Sequence, residues 1–213
     1  MKILAAKSLA IPAIKVVSFA RFCDQRGYFT EPFRKSDLLT HPETDFMRTI
    51  EFVQTNESLS KKGVIRGLHF QWNPYMGKFV RTIKGRMVDI VLDIRKGSET
   101  LGKIIAYDMP ANLNADSSEW IWVPPGFAHG NFFTEETMIE YFCSGEYSPG
   151  CEAGISPIAS DIDWSLCDQN LKKEFDELVH STQLMSDKDK NGLSLEAWLA
   201  DERSNNFLYE QLK

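Results

Sequence analysis

The chain has 213 residues, 43% of them hydrophobic, and a formal net charge of −6. That is enough apolar material for one sizeable core, and the acidic balance argues against general nucleic-acid binding through phosphates. No apolar run approaches the roughly 18 residues of a membrane-spanning helix.

At the N-terminus, MKILAAKSLAIPAIKVV is interrupted by Lys7, Pro12 and Lys15, so it reads as a first strand region and not as a signal peptide. DQRGYFTEPF (24–33) follows. Next comes QTNESLSKKGVIRGLHFQ (54–71), which sets one histidine, His69, inside an apolar strand-like run three residues after Arg66. In MVDIVLDIR (87–95), Val88, Ile90, Leu92 and Ile94 alternate with Asp89, Val91, Asp93 and Arg95, a period of two that predicts a strand. EWIWV (119–123) and MIEYFC (138–143) are further aromatic and β-branched runs, punctuated by Pro-Pro-Gly and Ser-Pro-Gly. Many short strands at close spacing predict a mainly β fold, a sandwich or small antiparallel barrel over about residues 20–165.

After Trp164 the pattern changes. NLKKEFDELVH (170–180) spaces Leu171, Phe175 and Leu178 as on a helix, and LSLEAWLADE (193–202) is also helix-like. A short helical tail, about 168–213, is therefore expected to pack on the barrel within a single domain, 1–213. The cysteines, Cys23, Cys143, Cys151 and Cys167, form no CxxC pair and no zinc spacing. Free cytosolic thiols are the expectation, ahead of a Cys143–Cys151 bridge.

Taken singly, the polar residues have plain readings. His69 is a structural histidine on a strand, Tyr141 a core tyrosine, and Lys78 and Arg81 strand-edge charges. His129 would bond a turn, His41 and His180 lie at the surface, and SDKDK (186–190) is a solvated loop. PPGFAHGN (124–131) carries the P-x-G-x-x-H spacing that resembles the second motif of the cupins, small barrels whose mouths hold metals or ligands. Where the first cupin motif has His-x-His, this chain has His69-Phe70-Gln71, with one imidazole only, so a metal-free barrel is expected.

Several motifs in one order give a sharper resemblance. QTNESLSKKGVIRGLHFQ with Lys78 and Arg81, DQRGYFTEPF, GRMVDIVLDIRKGSETLGK, WIWVPPGFAHGN, YFCSGEYSPGCEAGI and SDKDK together resemble the dTDP-4-dehydrorhamnose 3,5-epimerases, from about Asp24 to Trp198. The resemblance implies a cupin-type jelly roll acting without cofactor or metal on a nucleotide-linked 4-keto-6-deoxyhexose. Each inversion beside the ketone needs a base, a proton donor on the far face and a partner for the enolate oxygen. By resemblance His69 is the base, Asp189 orients it, Tyr141 is the acid and Lys78 holds the oxyanion, while Arg66 helps place the substrate. Arg26, Phe29, Glu31, Gln54, Asn56, His129, Tyr147 and Glu152 fall where the family contacts nucleotide, diphosphate and sugar. The family also implies a cytosolic homodimer, with Arg26 serving the neighbouring subunit, and supply of a deoxysugar for polysaccharide or glycoside synthesis.

Three stretches depart from the family pattern. GISPIASDIDW (154–164) lacks its Trp and Asp-Pro, the segment from His129 to Tyr141 is one residue short, and NLKKEFDELVH lengthens the path to Asp189. These leave open a single-carbon epimerase or a 3,4-ketoisomerase, on a dTDP- or GDP-linked sugar. Readings from other classes are a metal-dependent cupin dioxygenase built on His129 and a non-catalytic sugar-nucleotide binding module.

Overall fold

Short β-branched and aromatic runs separated by turn residues fold into thirteen strands among the residues that the computed structural model describes, 1–181 and 184–212. They are β1 (Ile3–Ser8), β2 (Lys15–Ala20), β3 (Phe22–Asp24), β4 (Gly27–Phe29), β5 (Gln54–Ser60), β6 (Ile65–Gln71), β7 (Lys78–Lys84), β8 (Arg86–Asp93), β9 (Ile104–Pro110), β10 (Ser117–Val123), β11 (Phe127–Phe133), β12 (Thr137–Cys143) and β13 (Glu152–Gly154). The helices are α1 (Lys35–Thr40), α2 (Gln169–Ser181), α3 (Asp187–Lys190) and α4 (Leu195–Ala200). One sheet runs β1-β2-β10-β7-β12-β5, a second β13-β6-β11-β8-β9, and β3-β4 form a separate hairpin. The pairings within these sheets are antiparallel, as a jelly roll of the cupin type requires.

Three apolar clusters explain the layering. Val16, Val80, Ile121 and Ile139 of the first sheet meet Met87, Val91, Ile105 and Phe133 of the second between the sheets. Outside the first sheet, Phe19, Phe79, Trp120 and Trp122 pack under Leu38, Met47 and Phe52. Outside the second, Val88, Ile90, Leu92 and Phe132 pack under Phe175, Trp198 and Phe207 of the tail. Burying one such side chain contributes roughly 1.5–3 kcal/mol, so the tail and the 33–52 segment are integral layers. All four cysteines are free.

Two expectations need correction. The barrel does not begin near residue 20, because β1 and β2 continue the first sheet, with β2 hydrogen-bonded to β10. Lys7 and Lys15 project from these strands while Val16, Val17 and Phe19 are buried, so the two lysines mark a face, and Pro12 lies in the turn between the strands. SDKDK, read singly as a solvated loop, folds as α3 with Asp189 buried. Ser186 caps it, its Oγ accepting the Asp189 amide at 3.1 Å. Beyond α3, the Leu193 amide donates to Gly154 and the Ser156 amide to Leu193, tying the segment alongside the continuation of β13. Gly192 permits this approach, since a Cβ there would lie 2.7 Å from the Ser156 nitrogen.

Candidate active site

The site begins with an unusually close pair of strands. Gly67 has φ +105°, and a Cβ on it would sit 2.6 Å from Gly130 Cα and 2.7 Å from the His129 carbonyl oxygen. Only glycine lets β6 lie this near β11, which sets His69 opposite His129 in the register. On the facing sheet, Lys78 opens β7 opposite Cys143, and Tyr141 on β12 stands opposite Asn56 on β5.

Two cavities open at this end of the sandwich, of about 460 and 340 Å³. Gln54, Asn56, Tyr147 and Glu152 line the larger, and Arg66, His129 and Asp189 the smaller. His69, Lys78 and Tyr141 line both, and among the described residues no other does. The two spaces therefore meet at an imidazole, an ammonium and a phenol.

His69 Nε2 lies 2.6 Å from Asp189 Oδ1. Burial on its own would raise the Asp189 carboxyl; the bond to His69 and its charge, with the Ser186 hydroxyl and the Gly67 amide, overcome this and hold it below its ordinary value. An ionised carboxylate only accepts, so Nε2 carries the proton and Nδ1 keeps the lone pair of a base. The His69 side chain is 35% exposed while Asp189 is 7% exposed, so the imidazole is reachable and its partner is not.

Solvent reaches Lys78 through the cavities, but protein surrounds it. Burial pushes its ammonium down, opposed by Cys143, Asp89 and Glu152. Burial likewise raises the Tyr141 phenol, aided by nearby Cys143 and opposed by Asn56 and Arg66. A phenol kept protonated can donate, and a buried cation is a strong partner for a developing oxyanion.

The other sequence-predicted residues divide into two groups. Gln54 Nε2 donates to Asn56 Oδ1 at 3.0 Å, and Gln54 Oε1 accepts the Tyr147 amide at 2.9 Å, which fixes the wall of the larger cavity. Arg66 Nε donates to Ser60 Oγ at 2.9 Å. Arg26, Phe29 and Glu31 line neither cavity. Arg26 pairs with Asp24 at the tip of the β3–β4 hairpin, Phe29 is exposed, and Glu31 pairs with Arg34.

Asp89 is the participant that sequence reasoning passed over. Its Oδ2 accepts His129 Nε2 at 2.7 Å, with both side chains buried. The alternation in MVDIVLDIR carries the signal, but not which face looks inward. Val88, Ile90 and Leu92 point outward under the tail, while Met87, Asp89 and Val91 point between the sheets. Among the described residues no three His, Cys, Asp or Glu side chains converge as metal ligands, and each of these imidazoles has its Nε2 taken by a carboxylate.

A jelly roll with this polar end places the chain among the cupin-like isomerases that act on sugar nucleotides. The dTDP-4-dehydrorhamnose 3,5-epimerase family model matches residues 8–197, and the chain belongs to that family. The dTDP-4-dehydrorhamnose 3,5-epimerase of Shigella flexneri is 38% identical over 186 residues, 85% of this chain and 91% of its own. That of Methanothermobacter thermautotrophicus is 35% identical over 80% of this chain and 83% of its own. Among solved structures, the dTDP-6-deoxy-D-glucose-3,5-epimerase of Legionella pneumophila, in complex with dTDP-4-keto-L-rhamnose, superposes with a TM-score of 0.75 at 28% identity. It covers 95% of this chain and 96% of its own.

Proposed function

We propose that the chain epimerises a nucleotide-linked 4-keto-6-deoxyhexose at C3 and C5, with the substrate's own ketone as electron sink. The observation that carries this is the meeting of His69, Lys78 and Tyr141 where the two cavities join. His69 Nδ1 removes a proton alpha to the ketone, and Asp189 stabilises the imidazolium that forms. Lys78 holds the enolate oxygen, and Tyr141 returns a proton to the opposite face. One cavity takes the sugar and the other the diphosphate and nucleotide, with Arg66, His129, Gln54, Asn56, Tyr147 and Glu152 as contacts. The whole of 1–213 is read as one catalytic domain, working in the cytosol in deoxysugar synthesis.

Arg26 and Phe29 are given a role in a second subunit. The Arg26 side chain is 84% exposed on a hairpin whose six strand residues all face solvent, which supports a homodimer in which this hairpin closes the neighbour's site. An enforced monomer is expected to bind substrate more weakly; unchanged affinity would reject the exchange.

The test is proton exchange in D₂O with dTDP-4-keto-6-deoxyglucose, read by NMR. Deuterium at C3 and C5 with inverted product is the expected result. Label at C3 alone would make the chain a single-carbon epimerase, and migration of the keto group a 3,4-ketoisomerase. With no exchange from dTDP- or GDP-linked sugars, the reaction class falls.

A further inference from the structure

Lys188 precedes Asp189 on α3 and lines the smaller cavity. Its Nζ donates to Glu152 Oε1 at 2.8 Å, and Tyr147 Oη donates to the same oxygen at 2.9 Å. Glu152 and Tyr147 line the larger cavity. Glu152 begins β13, two residues before Gly154, which pairs with His69. The Lys188–Glu152 ion pair therefore links the rims of the two cavities beside the His69–Asp189 bond.

We propose that Lys188 is a positioning residue, whose ion pair with Glu152 fastens α3 to β13 and holds Asp189 Oδ1 on His69 Nε2. The inference rests on His69 being the base. A helix of four residues cannot keep its own place, so contacts outside it decide where Asp189 sits. On the C-terminal side those contacts are the Leu193–Gly154 bond and Ser156 Oγ donating to the Lys190 carbonyl at 3.1 Å. Lys188 supplies the tie that Asp189's own burial does not, on the face toward the cavity mouths. Its side chain is 58% exposed, so the pair adds little to global stability and its effect is on local geometry. The charges agree with this arrangement. Burial alone would raise the Glu152 carboxyl, but Lys188, Tyr147 and His69 together hold it below its ordinary value.

The test uses the low-field proton resonance of His69 Nε2–H in the ligand-free protein, assigned by its loss in H69N. In K188M the resonance is expected to broaden or vanish at unchanged Tm. In the same variant kcat on dTDP-4-keto-6-deoxyglucose should fall about tenfold, with little change in KM. K188R should restore both, and E152A, which cuts the same pair from β13, should repeat the loss of signal. A K188M protein with an intact resonance and unchanged kcat overturns the proposal. So does a rise in KM alone with the resonance intact, which would make Lys188 a substrate contact. If the wild-type chain fails to exchange protons with any keto sugar, the epimerase reading falls, and the resonance still decides whether Lys188 positions Asp189.

Discussion

The second sheet carries two histidine–aspartate pairs side by side, and their settings differ. His69–Asp189 and His129–Asp89 have nearly the same Nε2–O separation, 2.6 and 2.7 Å. The first joins β6 to the tail and leaves the imidazole open to both cavities. The second joins neighbouring strands β11 and β8 and lies deeper, with His129 7% exposed at the wall of the smaller cavity and Asp89 fully buried. Burial holds His129 below its ordinary value despite Asp89, and the nearby Lys78 and His69 push the same way. The same two side chains thus form a solvent-reachable pair in one place and a buried wall in the other. Access separates them, not bond length.

The comparison breaks most sharply at His69. H69N is expected to lower kcat by about 10²–10⁴-fold with Tm unchanged, measured by NMR turnover and thermal melting; retained turnover would exchange the roles of the two pairs. D189N should cost about a hundredfold in kcat, because a neutral amide no longer fixes the imidazole tautomer. In Y141F, deuterium should still wash into substrate from the His69 face while inversion falls about a hundredfold, which separates base from acid. D89N is expected to act chiefly on stability. It replaces a carboxylate by an amide as the acceptor for the buried, neutral His129 Nε2–H, at a cost of about 1–2 kcal/mol in urea unfolding, and lowers kcat less than D189N does.

The smallest effect concerns pH. His129 is held below its ordinary 6.5, so the unfolded chain takes up a proton that the folded chain refuses. Stability is then lost as pH falls below 6.5, and H129Q should lack that part of the slope between pH 8 and 5. Asp189 works in a lower window. Held below 3.8, it contributes fully above that pH and loses its contribution as pH falls through its folded value, where D189N and wild type should converge.

The fold class was legible because alternation and turn residues are local signals, and the helical tail because Phe175 and Leu178 recur at helical spacing. Which face of β8 looks inward was not legible. The tail covers the outer face, so both faces are buried, and hydrophobicity alone points Asp89 and Asp93 toward water. His69, Lys78 and Tyr141 were named through motif order and not through any property of the residues singly. Asp189 too was named through motif order, but its charged run hid its burial, which depends on Leu193, Gly192 and Ser156 closing over β13, contacts far along the chain. Arg26, Phe29 and Glu31 show the opposite case, since the sequence groups them with the site and the single chain keeps them apart from it.

His69 and Asp189 are 120 residues apart in sequence, and the tail that brings them together rests on the barrel through Trp198, whose ring packs 4.6 Å from that of Phe70. Closing so long a loop is entropically among the later steps of folding. During synthesis the barrel strands emerge from the ribosome well before Asp189 does, so a barrel can exist for a time with an unpaired imidazole. The bond between these two residues is in effect a completion mark: only a chain with its tail docked carries His69 held by Asp189.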